Sequence, residues 1–355
     1  MARSFNRSFV SLVAGALLLT GINPTVAGGS PSLALPERGV SLEFFAGPST
    51  PPNADLFNRA VAYGHFISGL GANAVSLVIQ FYTPSIESNV VTAGRDVIDG
   101  VPVVTPSPTQ VSAVVRGLSR SGLRVYLRPL INEHHLGLKW RGDLSPVDSA
   151  QWFKSYRSAL EPYLTMAEDL HVHGFVIISE LSKLSRRPGW SDLISWSRRY
   201  FHGTLVWDVN LAPRIVPAPV AGLVQWNDMY PRVPAASDGA TVARILRGWD
   251  DYIATMPIPG DPQKQGIGEI GIVAQNGAYV KSSVHSLPTA YNESVQEKWF
   301  RAGCEYAIEH RYRSLFFWTL NFGVPVAQLV EQNRRYPMYF QPNGLKAIKW
   351  CFTRR

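Results

Sequence analysis

Eight short runs of apolar, β-branched and aromatic residues punctuate this chain, and most are separated by amphipathic stretches of helical spacing. In order they are VSLEFFAG from Val40, NAVSLVIQFY from Asn73, RVYLRPLIN from Arg124 and GFVIISEL from Gly174, then GTLVWDVN from Gly203, LVQWNDMYP from Leu223, IGEIGIV from Ile267 and SLFFWTLNFG from Ser314. Apolar runs of strand length bounded by turn residues read as buried strands. The intervening NADLFNRAVAYGHFISGLG opens on Asn53, placed to cap a helix, and closes on Gly. SPVDSAQWFKSYRSALEPYLTMAEDLHVHG and ESVQEKWFRAGCEYAIEHRYR show the same helical spacing. Strand and helix alternating eight times predict a parallel sheet closed on itself, a single (β/α)8 TIM barrel of the α/β class. An open doubly wound sheet would require a Gly-rich phosphate turn after its first strand, and FFAGPSTPP is not one. Between the fifth and sixth strands, LAPRIVPAPVAG is rich in Pro and predicts a short or irregular helix.

At 355 residues and 46% hydrophobic content, the chain can fill one large core. Residues 1–27 read as an export signal: Arg3 and Arg7, then the apolar run FVSLVAGALLLTGI, then the small residues TVA. The apolar run is short for a bilayer span, and an uncleaved anchor is the rival reading. Residues 28–355 then form the catalytic barrel, secreted or held in the cell envelope. Removal of the segment takes away two Arg and no acid, lowering the net charge from +8 to +6. The basic residues are scattered rather than gathered in a stripe, so no nucleic-acid partner is expected. Cys304 and Cys351 leave two readings open, one disulfide or two buried thiols.

In a barrel of this kind the chemistry sits at the strand C-termini. The polar residues there are Glu43 on the first strand and Asn132, Glu133, His134 and His135 on the third. The fourth offers Ser179 and Glu180, the fifth Asp208 and Asn210, and the sixth Asn227, Asp228 and Tyr230. Glu269 ends the seventh, and Trp318 and Asn321 the eighth. A carboxylate closing so apolar a strand as GFVIISEL needs a reason, because an unpaired buried charge is costly. Strands four and seven face each other across the barrel, so Glu180 and Glu269 can approach to about 5 Å, the separation of a retaining glycosidase. Glu180 is then the acid/base and Glu269 the nucleophile. The blander readings are a structural Glu180 paired with Arg128 and a turn-capping Glu269. Glu43 is a third mouth carboxylate or a partner of Arg128. His134 is assigned to a sugar hydroxyl in preference to a metal, and Asp208 and Asn210 to further hydroxyls. His171 and His173 precede the fourth strand at the opposite face and read as structural. No G-x-S-x-G elbow or H-E-x-x-H helix is present, and neither metal nor cofactor is expected.

LGANAVSLVIQFY, GLRVYLRPLIN, WRGDLSPVDSAQWFKSY, VIISEL, GEIGIV and FFWTLNFG occur in an order that resembles glycoside hydrolase family 113, the β-mannanase-like barrels of a large clan. The resemblance implies Glu180 as acid/base and Glu269 as nucleophile. It also implies Trp140 and Trp318 as sugar platforms and Tyr230 as a hydrogen-bond donor orienting the nucleophile. Ser179 stands where the wider clan commonly has an Asn that donates to the sugar 2-hydroxyl, and NEHHLG is an unusual polar cluster. The expected protein is an exported, monomeric endo-acting hydrolase of a β-linked, mannan-like polysaccharide. A non-catalytic carbohydrate-binding protein on the same scaffold and a transglycosylase are the alternatives.

Overall fold

All eight apolar runs become parallel strands. The computed structural model describes residues 35–354 except 99, 134–135, 137–138, 211–221, 235 and 257–260. The expected export segment, the Pro-rich stretch after the fifth strand and His134 therefore lie outside the described residues. In chain order the elements are β1 (Glu37–Phe44), α1 (Asn53–Gly69), β2 (Ala74–Phe81), β3 (Arg95–Ile98), β4 (Val101–Val104), α2 (Pro108–Arg120), β5 (Arg124–Ile131), α3 (Ser149–Asp169) and β6 (Gly174–Ser179). They continue with α4 (Trp190–Ser197), β7 (Thr204–Asn210), β8 (Val224–Asp228), α5 (Val242–Ile253), β9 (Gly266–Ile270), α6 (Glu293–Glu309), β10 (Ser314–Asn321), α7 (Leu329–Arg335) and α8 (Pro342–Thr353). The barrel runs β1-β10-β9-β8-β7-β6-β5-β2, and β1 pairs with both β10 and β2, so the sheet has no edge. The chain is a single (β/α)8 barrel.

β3 and β4 form an antiparallel hairpin in the connection between β2 and α2, which the sequence reading did not anticipate. Each strand is only four residues long, too short for alternation to stand out. Asn53 is also corrected: it is the first residue of α1, preceded by Pro52, and no side chain caps that end. The other starts use side chains. Ser107 and Gln110 form a reciprocal capping box at α2, Asp148 accepts from the Ala150 and Gln151 N–H groups at α3, and Asn292 accepts from Ser294 at α6.

The turns that lead from α1, α2, α3 and α6 into the next strand share one device. Gly71, Gly122, His171 and Arg311 all take positive φ, between 50° and 88°. At His171 the N–H bonds to the Glu168 carbonyl and the Val172 N–H to the Ala167 carbonyl, which satisfies the last turn of α3. His171 thus has a backbone role at the face opposite the strand C-termini.

Two apolar cores result. The larger lies between the sheet and the helices. The smaller fills the lower barrel with Ala74, Tyr126, Val176, Val206, Trp226 and Phe316. The Trp226 ring lies 4.5 Å from Phe316 and 4.7 Å from Tyr126. Gly39 makes room for this plug, since a Cβ there would stand 2.2 Å from the Phe316 ring. The Tyr126 hydroxyl escapes burial unpaired by donating to Glu37. Cys304 on α6 and Cys351 on α8 are joined by a disulfide across 47 residues, a loop whose closure stabilises the fold by about 4 kcal/mol on chain-entropy grounds.

Candidate active site

One layer above the aromatic plug the barrel interior becomes ionic. Side chains two apart on a strand share a face, so Arg128 enters from β5 directly above Tyr126. Its guanidinium is fully buried. Nη2 lies 2.5 Å from Asp208 and 2.8 Å from Asp228, Nη1 lies 2.7 Å from Glu269, and Nε donates to Ser179 Oγ at 3.0 Å. Gly268 leaves space for the aspartates: a Cβ there would meet Asp208 at 2.6 Å and Asp228 at 2.9 Å.

The two glutamates occupy the layer above. Glu180 has φ 56°, a left-handed conformation that costs a non-glycine residue about 1–3 kcal/mol. Neighbouring residues of a regular strand face opposite ways; this kink lets Ser179 reach Arg128 while Glu180 also opens into the barrel mouth. The Glu180 N–H is tied to the Asp208 carbonyl at 3.0 Å. Its carboxylate accepts from Asn210 Nδ2 at 2.5 Å and meets Arg141 Nη1 at 3.3 Å. Arg141 also pairs with Glu133 at 3.1 Å. Glu269 takes a separate set of partners, Arg128 on Oε1 and the Tyr230 hydroxyl on Oε2 at 2.5 Å. Burial pushes the Glu269 carboxyl above its ordinary range, and Arg128 and Tyr230 pull against that rise. Burial also holds the His285 imidazole below its usual range, which favours the neutral ring.

Glu180 and Glu269 line one cleft of about 330 Å³ together with Trp140, Asn210, Tyr230 and Trp318, a volume within the range of small-molecule sites. Six of the nine expected site residues are therefore brought together. Two are placed elsewhere. Asp208 is fully buried beneath the cleft, because it shares its strand face with Asn210 but lies two residues deeper. Ser179 points its hydroxyl at Arg128 rather than at the cleft. The ninth, His134, lies outside the described residues.

Glu43 is buried, one of its carboxylate oxygens has no hydrogen-bond partner, and burial raises it to about 7 against the fields of Arg141 and Arg128. It forms no ion pair among the described residues, and does not line the cleft. Sequence reasoning missed Arg141, Tyr252, Arg232, Ser283 and His285 as cleft-lining residues. Arg141 adjoins Trp140 in the KWRG segment and was within reach of a reading by neighbourhood. Ser283 and His285 sit in a loop with no periodicity to mark them.

No helix among the described residues is long and apolar enough to cross a membrane, and no group of three His, Cys, Asp or Glu there is placed to hold a metal ion.

A family model described as Glycoside Hydrolase Family 113 matches residues 88–341. No curated protein matches the chain. Among solved structures, a GH113 β-1,4-mannanase in complex is 15% identical, with 91% of this chain and 99% of that one covered and a TM-score of 0.67. The GH113 β-mannanase AaManA from Alicyclobacillus acidocaldarius, in complex with ManMIm, is 16% identical, with 91% and 98% covered and a TM-score of 0.68. A GH5_18 protein from Streptomyces cattleya, in complex with GlcNAc, is 12% identical, with 90% and 80% covered and a TM-score of 0.50. At these identities the likeness shows a shared barrel.

Proposed function

The chain belongs to glycoside hydrolase family 113, and on that premise we propose that it is an exported, endo-acting hydrolase of a β-mannan-type polysaccharide that retains anomeric configuration. The observation that carries the reading is the pair Glu180 and Glu269, which open on one cleft with independent partners. Glu269 attacks the anomeric carbon while Glu180 protonates the departing glycosidic oxygen. Glu180 then takes a proton from water, which attacks the glycosyl ester and frees Glu269. Arg128 and Tyr230 each hold one oxygen of Glu269 in a fixed direction and favour its charged form against the pull of burial. Asn210 orients Glu180. Trp140 and Trp318 are flat faces on which sugar rings stack.

The mannan part of the reading rests on the β-mannanases that share the barrel, and export rests on the character of residues 1–27.

The test joins product stereochemistry with leaving-group dependence. Nuclear magnetic resonance of the first-formed reducing ends from β-1,4-mannooligosaccharides is expected to show the β anomer; an α anomer rules out retention. Glu180→Gln is expected to lose about 10²–10⁴-fold on those oligosaccharides and far less on an aryl glycoside with a good leaving group. Equal losses on both remove the acid role. Products longer than the substrate at high concentration would reassign the enzyme as a transglycosylase. Binding without turnover would make it a carbohydrate-binding protein.

A further inference from the structure

At the floor of the cleft one guanidinium, that of Arg128, touches three carboxylates: Asp208 and Asp228, both closed to solvent, and Glu269, which lines the cleft wall. Three ionised acids against one cation would leave two uncompensated negative charges in a dry interior, which is strongly unfavourable. The aspartates also face each other. Their Oδ2 atoms meet the same nitrogen at 2.5 and 2.8 Å, and their Oδ1 atoms crowd one point above Gly268 at 2.6 and 2.9 Å. Neither Oδ1 has a hydrogen-bond donor among the described residues. Two carboxyls held this close titrate as one unit and retain a proton.

We propose that Asp208 and Asp228 share a single proton and act as a positioning pair that neutralises Arg128, so that the guanidinium orients Glu269 without tying down its charge. The proposal rests on Glu269 being the nucleophile. With one proton the pair carries one negative charge, which cancels Arg128 and leaves the charge of Glu269 as the net charge of the cluster. Once Glu269 is esterified, the remaining group is neutral, so neither half of the reaction strands an unbalanced charge below the cleft. The proton stays on the pair throughout.

The charged groups acting on the pair are Arg128 from β5, Glu269 from β9 and Glu180 at the end of β6. The Trp318 ring lies 5.9 Å from the Arg128 guanidinium and Glu43 on β1 adds its field there. Burial, the largest influence, pushes Asp208 up to about 7 and Asp228 well above the usual carboxylate range, in keeping with a retained proton.

The test compares Asp208→Asn, Asp228→Asn and the double variant on an aryl β-mannooligosaccharide. Either single change leaves one acid against Arg128, the same charge as the shared proton, so the acid limb of kcat/KM should stay where it is. In the double variant Glu269 alone faces the cation. The acid limb should move to lower pH, and the loss should exceed the product of the single losses by about 10–100-fold, the scale of coupling between contacting groups. Losses that simply multiply, with an unmoved acid limb, would reduce the pair to packing.

A second measurement needs no substrate. An acid whose folded pKa is raised makes a contribution that is complete below its unfolded value and lost as pH rises through the folded value. Thermal stability should therefore fall from about pH 4 to about pH 7, and either single variant should flatten that fall. An unchanged slope in both overturns the shared proton. A flattened slope without turnover of any β-glycan leaves the pair standing and retires the proposed function instead.

Discussion

The lower and upper halves of the barrel interior are built by the same strands, yet they have opposite chemistry. Below, Tyr126, Trp226 and Phe316 form a dry aromatic plug with Ala74, Val176 and Val206. Above, Arg128, Asp208 and Asp228 are just as inaccessible and form an ionic cluster with Glu269, which reaches the cleft. Tyr126 and Arg128 are two residues apart on β5, and Val206 and Asp208 two apart on β7. One step of the strand repeat therefore separates residues that pack from residues that carry charge. The comparison suggests a division of labour: the plug supplies stability, and the ionic layer sets the direction and charge of the groups at the mouth.

The largest effect expected is on Glu269→Gln, which should lose about 10⁴-fold or more in kcat on mannooligosaccharides, the scale of removing a member of a covalent catalytic unit. Its midpoint of unfolding should not fall, because a buried carboxylate has been removed. A variant that keeps most of its activity would sever the ionic layer from catalysis.

Arg128→Met should come next. It strands three carboxylates without a counter-charge and should lower stability by about 3–5 kcal/mol in denaturant unfolding, as well as damaging turnover. A stable, active variant would show that the layer is held by something other than its one cation.

Phe316→Ala sharpens the contrast from the other side. A loss of about 3–5 kcal/mol is expected from the emptied plug, with kcat at low temperature within a few-fold of the parent. If turnover collapses while the fold persists, the two halves do not act separately.

The smallest expected effect concerns Glu43. Its buried carboxyl keeps its proton up to about pH 7, whereas the same residue in the unfolded chain loses it near 4.3–4.5. Stability is thus eroded as pH rises through about 7. Glu43→Gln should recover about 1–2 kcal/mol at pH 8 relative to pH 5, measured by denaturant unfolding at both. An identical difference in the parent would show that Glu43 ionises freely.

Much of this was legible in the residues themselves. Eight apolar runs marked eight barrel strands, and polar residues at their ends marked the cleft, because burial and alternation are local properties. The β3–β4 hairpin escaped because four-residue strands have too little pattern. The roles of Asp208 and Ser179 were misplaced for a different reason: position along a strand indicates that a residue lies near the open end, but depth inside a closed barrel depends on the tilt and register of all the strands together. Arg128 was named only as a candidate partner of Glu180 or Glu43, and the acids it gathers are Asp208, Asp228 and Glu269 instead.

By itself the sequence determined the closed α/β architecture, the strands that carry each acid and the presence of two candidate glutamates on opposing strands. Those follow from periodicity and hydrophobic burial, which neighbouring residues decide among themselves. Only the tertiary structure decided that one guanidinium meets three carboxylates, that Glu180 and Ser179 both turn inward and that Cys304 meets Cys351. Each of these brings together groups distant along the chain or depends on a backbone conformation that closure of the barrel imposes.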